Sequence, residues 1–144
     1  MRAARGPSCR SRGWVRLAVL GALACARPPA TPEATYRAFA HAVVERDAEA
    51  AYALLSSDTR AWLDARARAL AAAAPGIVPS SGAKLLVGDA ALAARPLASV
   101  AVVRASPDEA VLRVTEQGGR VGEVELVREK GWRVRLPPPG PGAP

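Results

Sequence analysis

Cys25 is the side chain whose position most plainly asks for chemistry. Its thiol closes an apolar run, LAVLGALA over residues 17–24, that follows a segment carrying Arg2, Arg5, Arg10, Arg12 and Arg16. A basic segment, a short apolar core and small residues before a cut point form the layout of a secretory signal. The run falls far short of the about 20 residues that a spanning helix requires, so a permanent transmembrane anchor is not expected. Other chemistry is scarce. Cys9 lies inside the signal, no cysteine follows Cys25, and His41 is the only histidine. A disulfide or thiolate metal site within the folded part is therefore not expected. A lone histidine without a cysteine partner argues against zinc and against a Ser-His-Asp triad. No cofactor and no metal ligand is assigned.

Two cleavages fit the segment. Ala22-Leu23-Ala24 satisfies the small-x-small rule of ordinary signal peptidase, which would leave Cys25 as a free N-terminal thiol. The segment also resembles the lipobox of bacterial lipoproteins, in which the cysteine is acylated and becomes the first residue. Ala24 fits that box, while Leu23 stands one position later than its usual leucine. The stretch that follows, ARPPATP over residues 26–32, is short and proline-rich, as suits an extended tether between a membrane-held cysteine and a domain. It favours the lipoprotein, with Cys25 as the site of lipid attachment. Acyl chains would hold the protein firmly, since each buried CH2 adds about 0.8 kcal/mol. The expected organisation is a signal over 1–24, lipidated cysteine and tether over 25–31, one domain over 32–136, and a disordered tail over 137–144. The expected location is the periplasm or the cell surface.

Charge looks different once the signal is set aside. The whole chain carries 20 basic and 13 acidic side chains, for a net charge of +7. Five arginines and no acids precede Cys25, so the remainder holds 15 basic and 13 acidic residues, net +2. Phosphate binders gather positive charge on one face or stripe. Here the basic residues are interleaved with acids, and Arg133 and Arg135 form a close pair best read as a solvated sheet face. A nucleic-acid partner is not expected.

The elements divide into helices, then strands. Thr31-Pro32-Glu33 starts a helix: Thr31 can cap, Pro32 is preorganised for the first position, and Glu33 favours the positive end of the dipole. Tyr36, Phe39, Ala40, Val43 and Val44 follow on one apolar face, and Glu33 and Arg37 sit four apart. Asp47 caps a short helix with Ala48, Ala51, Tyr52 and Leu55 at helical spacing. Ser56 or Ser57 caps a third, in which Leu63, Ala67, Leu70 and Ala74 share a face beside Trp62, Asp64 and Arg68 pair elsewhere, and Pro75-Gly76 stops the chain. Residues 83–87, AKLLV, read as a short strand or part of a turn, broken by Gly88-Asp89, with Asp89 capping a single helical turn. Four strands follow within residues 97–136. Pro107-Asp108 turns the first into the second, Gly118-Gly119 supplies the positive φ of a tight hairpin, and Lys130-Gly131 turns again. In the last strand Trp132, Val134 and Leu136 point inward while Arg133 and Arg135 point outward. Helices followed by an antiparallel meander give an α+β fold of about three helices on a sheet of about four strands. The helix carrying Tyr36, Phe39 and Val43 is expected to cover the sheet, with Trp132 packed against it beside Phe39.

This order resembles the nuclear transport factor 2-like, or cystatin-like, superfamily. TPEATYRAFAHAVVERDAEAAYALLSSDTRAWL over residues 31–63 looks like the opening of small bacterial lipoproteins in it: a proline-led helix, an aromatic in mid-helix, an Asp-x-Glu-x-Ala step, then Leu-Leu-Ser. The Gly-Trp-x-Val strand at Gly131–Val134, leading to Leu136 and proline, is similar to their ending. The resemblance covers about residues 31–137. It implies a sheet curled into a cone-shaped pocket, and a homodimer through the sheet face. For such a pocket the candidates are Tyr36, His41, Asp58, Trp62 and Asp64. Each also has a plain structural role: Tyr36 in the helix core, His41 on the surface, Asp58 in a first helical turn, Asp64 beside an arginine, Trp62 in packing. No pair of them has a spacing that demands catalysis, and a fold alone supplies no active site. No catalytic residue is assigned. Tyr36, Phe39, Trp62 and Trp132 are expected to line the pocket or core of a non-enzymatic binding module, taking a small apolar ligand or an envelope protein. Alternatives are an adaptor that docks a partner by its sheet face and, less favoured, an isomerase-like enzyme. A deep apolar pocket with convergent polar groups would favour ligand binding. A filled interior with apolar residues exposed on the sheet would favour docking.

Overall fold

The computed structural model describes residues 29–93 and 95–138, apart from the side chains of residues 89–93. The signal segment, Cys25 and residues 139–144 lie outside the described residues. Four helices precede four strands: α1 (Pro32–Val44), α2 (Ala48–Ala53), α3 (Ser57–Ala73), α4 (Gly82–Ala93), β1 (Leu97–Ala105), β2 (Glu109–Glu116), β3 (Val121–Arg128) and β4 (Trp132–Arg135). The strands form an open antiparallel sheet in the order β1-β2-β3-β4, and the fold is α+β.

Local chemistry accounts for the helix starts. The Thr31 hydroxyl accepts from the Ala34 N–H, Pro32 takes the first helical position, and Asp47 and Ser56 cap α2 and α3 in the same way. Each side chain satisfies a backbone donor that the helix cannot use itself. Beyond α3, Gly76 adopts a φ of +79°, which Ala or a larger residue would reach only with strain.

The fourth helix corrects the sequence reading of residues 83–93 as a short strand or turn with one helical turn. Ala83, Leu85, Leu86 and Val87 are all buried, because α4 is packed among α1, α2 and α3. A helix surrounded on several sides is apolar over more than one face and loses the 3.6-residue rhythm that reveals a surface helix.

The sheet alternates as its pattern requires. Ala110, Leu112 and Val114 of β2, Leu126 of β3, and Trp132 and Val134 of β4 are buried on the inner face. α1 lies over that face against β4, β1 and β2, so Phe39 and Val43 share one core with Trp132. The aromatic neighbour of Phe39 is Tyr36, at 6.0 Å between centroids, whereas the Trp132 ring lies beneath the Arg128 guanidinium at 5.6 Å. α3 packs on α4. Residues 54–56 cover the β4 edge: Val134 N–H donates to the Leu54 carbonyl and Ser56 N–H to the Val134 carbonyl, each at 2.9 Å. At the other edge β1 is exposed along most of its length, and two register shifts interrupt its pairing with β2. Such irregularities blunt an edge against pairing with other chains.

The interior between the helices and the inner face of the sheet is packed with apolar side chains. Leu55, Leu112, Leu126 and Val134 are fully buried, and the equally buried Ala51 and Ala67 let the helices approach closely.

Candidate functional site: a groove on the outer sheet face

The other face of the sheet carries charge and half-exposed valines. Arg113 and Glu123 are register partners joined at 3.3 Å, and Arg135 reaches Glu109 at 3.6 Å and Glu125 at 4.0 Å. These exposed pairs set the character of the surface more than its stability, since pairs of this kind are worth about 0–1 kcal/mol. Between them Val103 and Val121 are exposed and Val111 is half-buried.

Part of this face forms the floor of a groove of about 690 Å3. Val103, Arg104, Val111, Glu123, Glu125 and Arg135 rise from the strands; Asp58, Thr59 and Trp62 of α3, with the chain from Leu136 to Pro138, complete its lining. A second cleft of about 410 Å3 shares Arg104, Val111, Glu125 and Arg135. A third, of about 300 Å3, lies beside Leu85 and Leu86 and shares Trp62, Leu136 and Pro137. Trp62 and Pro137 thus stand between two depressions.

Thr59 builds this wall. Its buried hydroxyl accepts from the Leu136 N–H at 3.1 Å and from the Ser56 hydroxyl at 2.9 Å, and donates to the Leu136 carbonyl at 3.4 Å. The segment after β4 is thereby fixed along α3, with the prolines beside the groove. Asp58 and Trp62 are four residues apart on α3, hence on one helix face, and both line the groove. The Arg66 guanidinium sits 5.9 Å from the Trp62 ring, a cation–π distance that favours one indole orientation. Among the described residues Asp58 and Arg104 make no ion pair.

No family model, no curated protein and no solved structure matches the chain. What the groove takes is therefore a question of its own chemistry.

Of the residues singled out from sequence, the groove brings together Asp58 and Trp62. Phe39 and Trp132 are core residues. Tyr36 packs against that core, and burial followed by the Glu116 charge pushes its phenol up. Glu116 Oε2 is buried with no hydrogen-bond partner, yet none of the described cavities is lined by Glu116. His41 is exposed and borders a separate cleft of about 260 Å3 with Ala40, Val44 and Leu97. Asp64 does not pair with Arg68 as its spacing suggests: it accepts from the Tyr52 hydroxyl at 2.7 Å and from the Gly82 N–H at 3.2 Å. The i+4 ion pair, worth about 0.3–0.5 kcal/mol at most surfaces, gives way to two directed bonds.

Sequence reading missed the floor and the hub. Arg135 was read as an outward-facing strand position, but nothing local marks which outward positions a neighbouring helix will wall in. Thr59 had no signal beyond its place in the first turn of a helix. Among the described residues no three His, Cys, Asp or Glu side chains gather as a metal site would require, and no helix is long and apolar enough to cross a membrane.

Proposed function

We propose that this protein is an exported, lipid-anchored binding module of the cell envelope, and that it binds through the groove on the outer face of its sheet. One observation carries the binding reading: the inner face is filled by its own side chains, while the largest described cleft combines an apolar floor with convergent charges on the opposite face. Sites that hold a ligand join apolar lining to a few placed polar groups. In this groove Trp62, Val103, Val111 and Leu136 supply the first and Asp58, Arg104 and Arg135 the second. The position of Cys25 after a basic and apolar leader supports the anchor, and the proline-rich stretch after it supports a tether.

A thermal-shift screen of amphipathic compounds, cell-wall fragments and short peptides tests the groove. At least one is expected to raise the Tm of the protein and to lose that effect in Val111→Asp. Hits indifferent to Val111→Asp would move binding elsewhere. The anchor is tested separately by mass spectrometry of membrane-extracted protein, in which an unmodified Cys25 ends the lipid claim.

Val103 and Val121, exposed on the same sheet face, favour a second reading, an adaptor docking a folded partner across the sheet. A single stoichiometric partner in pull-down, together with a screen in which no compound raises the Tm, would select it.

A further inference from the structure

We infer that the cleft between α1 and the entry to β1 takes a small single-chain amphiphile with an anionic head, at a site separate from the groove on the outer sheet face. Arg37, Ala40, His41 and Val44 form one wall, and Arg95, Pro96 and Leu97 form the other. The first four stand at i, i+3, i+4 and i+7 along α1, which makes them one stripe of the helix. That stripe runs beside the one that carries Phe39 and Val43 into the core. Val44 belongs by its spacing to the apolar face of the helix, yet it stays 44% exposed.

Charge selects the head. No Asp or Glu lines this cleft, and among the described residues neither Arg37 nor Arg95 is in an ion pair. Both arginines are exposed. An arginine lays its stem along apolar surface while its guanidinium stays in water, so positive charge gathers at the rim. Guanidinium groups donate without accepting, and they pair with a carboxylate or a phosphate through two parallel bonds. The His41 imidazole has a ring N–H to add in either protonation state. The other described clefts lack this one-signed lining. The outer groove and the cleft beside it set arginines against Asp58, Glu109, Glu123 or Glu125. The cleft beside Leu85 has a single cation, Arg66, which already faces the Trp62 ring.

Apolar lining and size select the tail. Ala40, Val44, Pro96 and Leu97 give an alkyl chain a surface that takes it out of water. The cleft holds about 260 Å3, below the range of about 300–1,000 Å3 for sites that take drug-sized ligands. One alkyl chain suits that space, whereas a two-chained lipid or a folded partner does not.

The test is isothermal titration calorimetry on the full chain, with every ligand kept below its micellar concentration. Decanoate and decyl phosphate both carry the required chemistry. At least one is expected to bind at one site per chain, and the tighter of the two names the head. Decyltrimethylammonium has the same tail with the opposite charge, decanol has the tail without charge, and acetate has the charge without the tail. Each of these three is expected to bind at least about ten-fold more weakly. That series needs no variant and is read on the native protein. Arg37→Glu and Arg95→Glu, both at exposed positions, are each expected to weaken anion binding about ten-fold and together to abolish it. Binding that survives Val111→Asp separates this cleft from the outer groove. The inference is overturned if neither anion binds, or if decanol, acetate or decyltrimethylammonium binds as tightly. Binding that ignores the double arginine variant overturns it too, and if that binding is lost in Val111→Asp the outer groove is the amphiphile site.

Discussion

The Tyr52 hydroxyl donates a 2.7 Å hydrogen bond to Asp64 Oδ2, and the same carboxylate accepts the Gly82 N–H at 3.2 Å through Oδ1. One side chain therefore ties α2 and α3 to the start of α4, with an anion placed at a helix N-terminus where the dipole favours it. Removing it in Asp64→Ala leaves the Gly82 N–H without its partner and the Tyr52 hydroxyl with only the longer 3.4 Å contact to the Arg60 carbonyl, a loss of about 1–3 kcal/mol, read as a lowered urea midpoint. Tyr52→Phe leaves the bond between Asp64 and Gly82 in place and is expected to cost less.

The phenol of Tyr52 carries a signature of this contact. Partial burial, then the hydrogen bond and charge of Asp64, push it up to about 12 from 10.0. Because the folded value is the higher one, the folded state keeps the proton that the unfolded state gives up. The stabilisation is complete below about pH 10 and is lost as pH rises toward about 12. Ultraviolet titration of tyrosinate is expected to show this phenol moving back toward its ordinary value in Asp64→Asn. Thermal melts of Tyr52→Phe are expected to fall less steeply over the same interval.

Two glycines of α4 predict opposite signs for the same substitution. A Cβ on Gly82 would lie 2.5 Å from Asp64 Oδ1, 3.0 Å from the Asp64 nitrogen and 3.1 Å from the Leu63 carbonyl carbon. Two of those atoms are backbone and cannot swing aside, so Gly82→Ala forces α4 away from α3 and is expected to cost about 1–3 kcal/mol, as overpacking does. At Gly88 a Cβ meets nothing within 4 Å. There Gly88→Ala removes only the entropic penalty of glycine in a helix and is expected to gain about 0.5–1 kcal/mol. Chemical denaturation of the two variants checks the sign of each.

Glu129, in the turn between β3 and β4, caps α3 from a distance. Its Oε1 accepts from the Ser57 N–H and the Ser57 hydroxyl, each at 2.8 Å. The bond from the Ser57 backbone, opposed in part by desolvation and helped by the Ser57 hydroxyl and then by Arg60 and Arg133, holds the carboxyl below 4.5. The folded state thus binds its proton less readily than the unfolded state. Its contribution is complete above the ordinary glutamate range and is lost as pH falls through the lowered value. Glu129→Gln is expected to flatten the acid limb of a Tm-versus-pH curve and to change little at neutral pH beyond the weaker cap.

These contacts explain what was legible in the sequence. Thr31, Asp47 and Ser56 announced their helices because a cap acts within three residues, and the meander was readable because β2 and β4 alternate strictly between a buried and a wet face. α4 was not readable. Its interior holds Gly88, its apolar residues run consecutively as they do in a strand, and the carboxylate at its first N–H belongs to Asp64, 18 positions earlier in the chain. The groove was half readable for the same reason. Asp58 and Trp62 stood out by residue type, whereas the Val103–Val111 floor depends on where α3 ends up relative to the sheet.

Thr59 is where fold and groove meet, and its hydroxyl predicts a separable effect. Thr59→Val keeps the branched shape but leaves the Ser56 hydroxyl and the Leu136 N–H without their bonds. In so buried a place that loss is worth about 1–3 kcal/mol. The burden falls mainly on the Leu136–Pro138 segment, since α3 retains the Ser56 cap on the Thr59 N–H and the Glu129 bond to Ser57. Hydrogen exchange is therefore expected to quicken at the Leu136 amide far more than at the amides of α3 or β2. Asp58→Asn, one residue earlier but exposed and without an ion-pair partner among the described residues, is expected to change stability by less than about 0.5 kcal/mol. A Thr59→Val protein in which Leu136 stays protected would mean that the groove wall is held by packing alone, with the hydroxyl as a bystander.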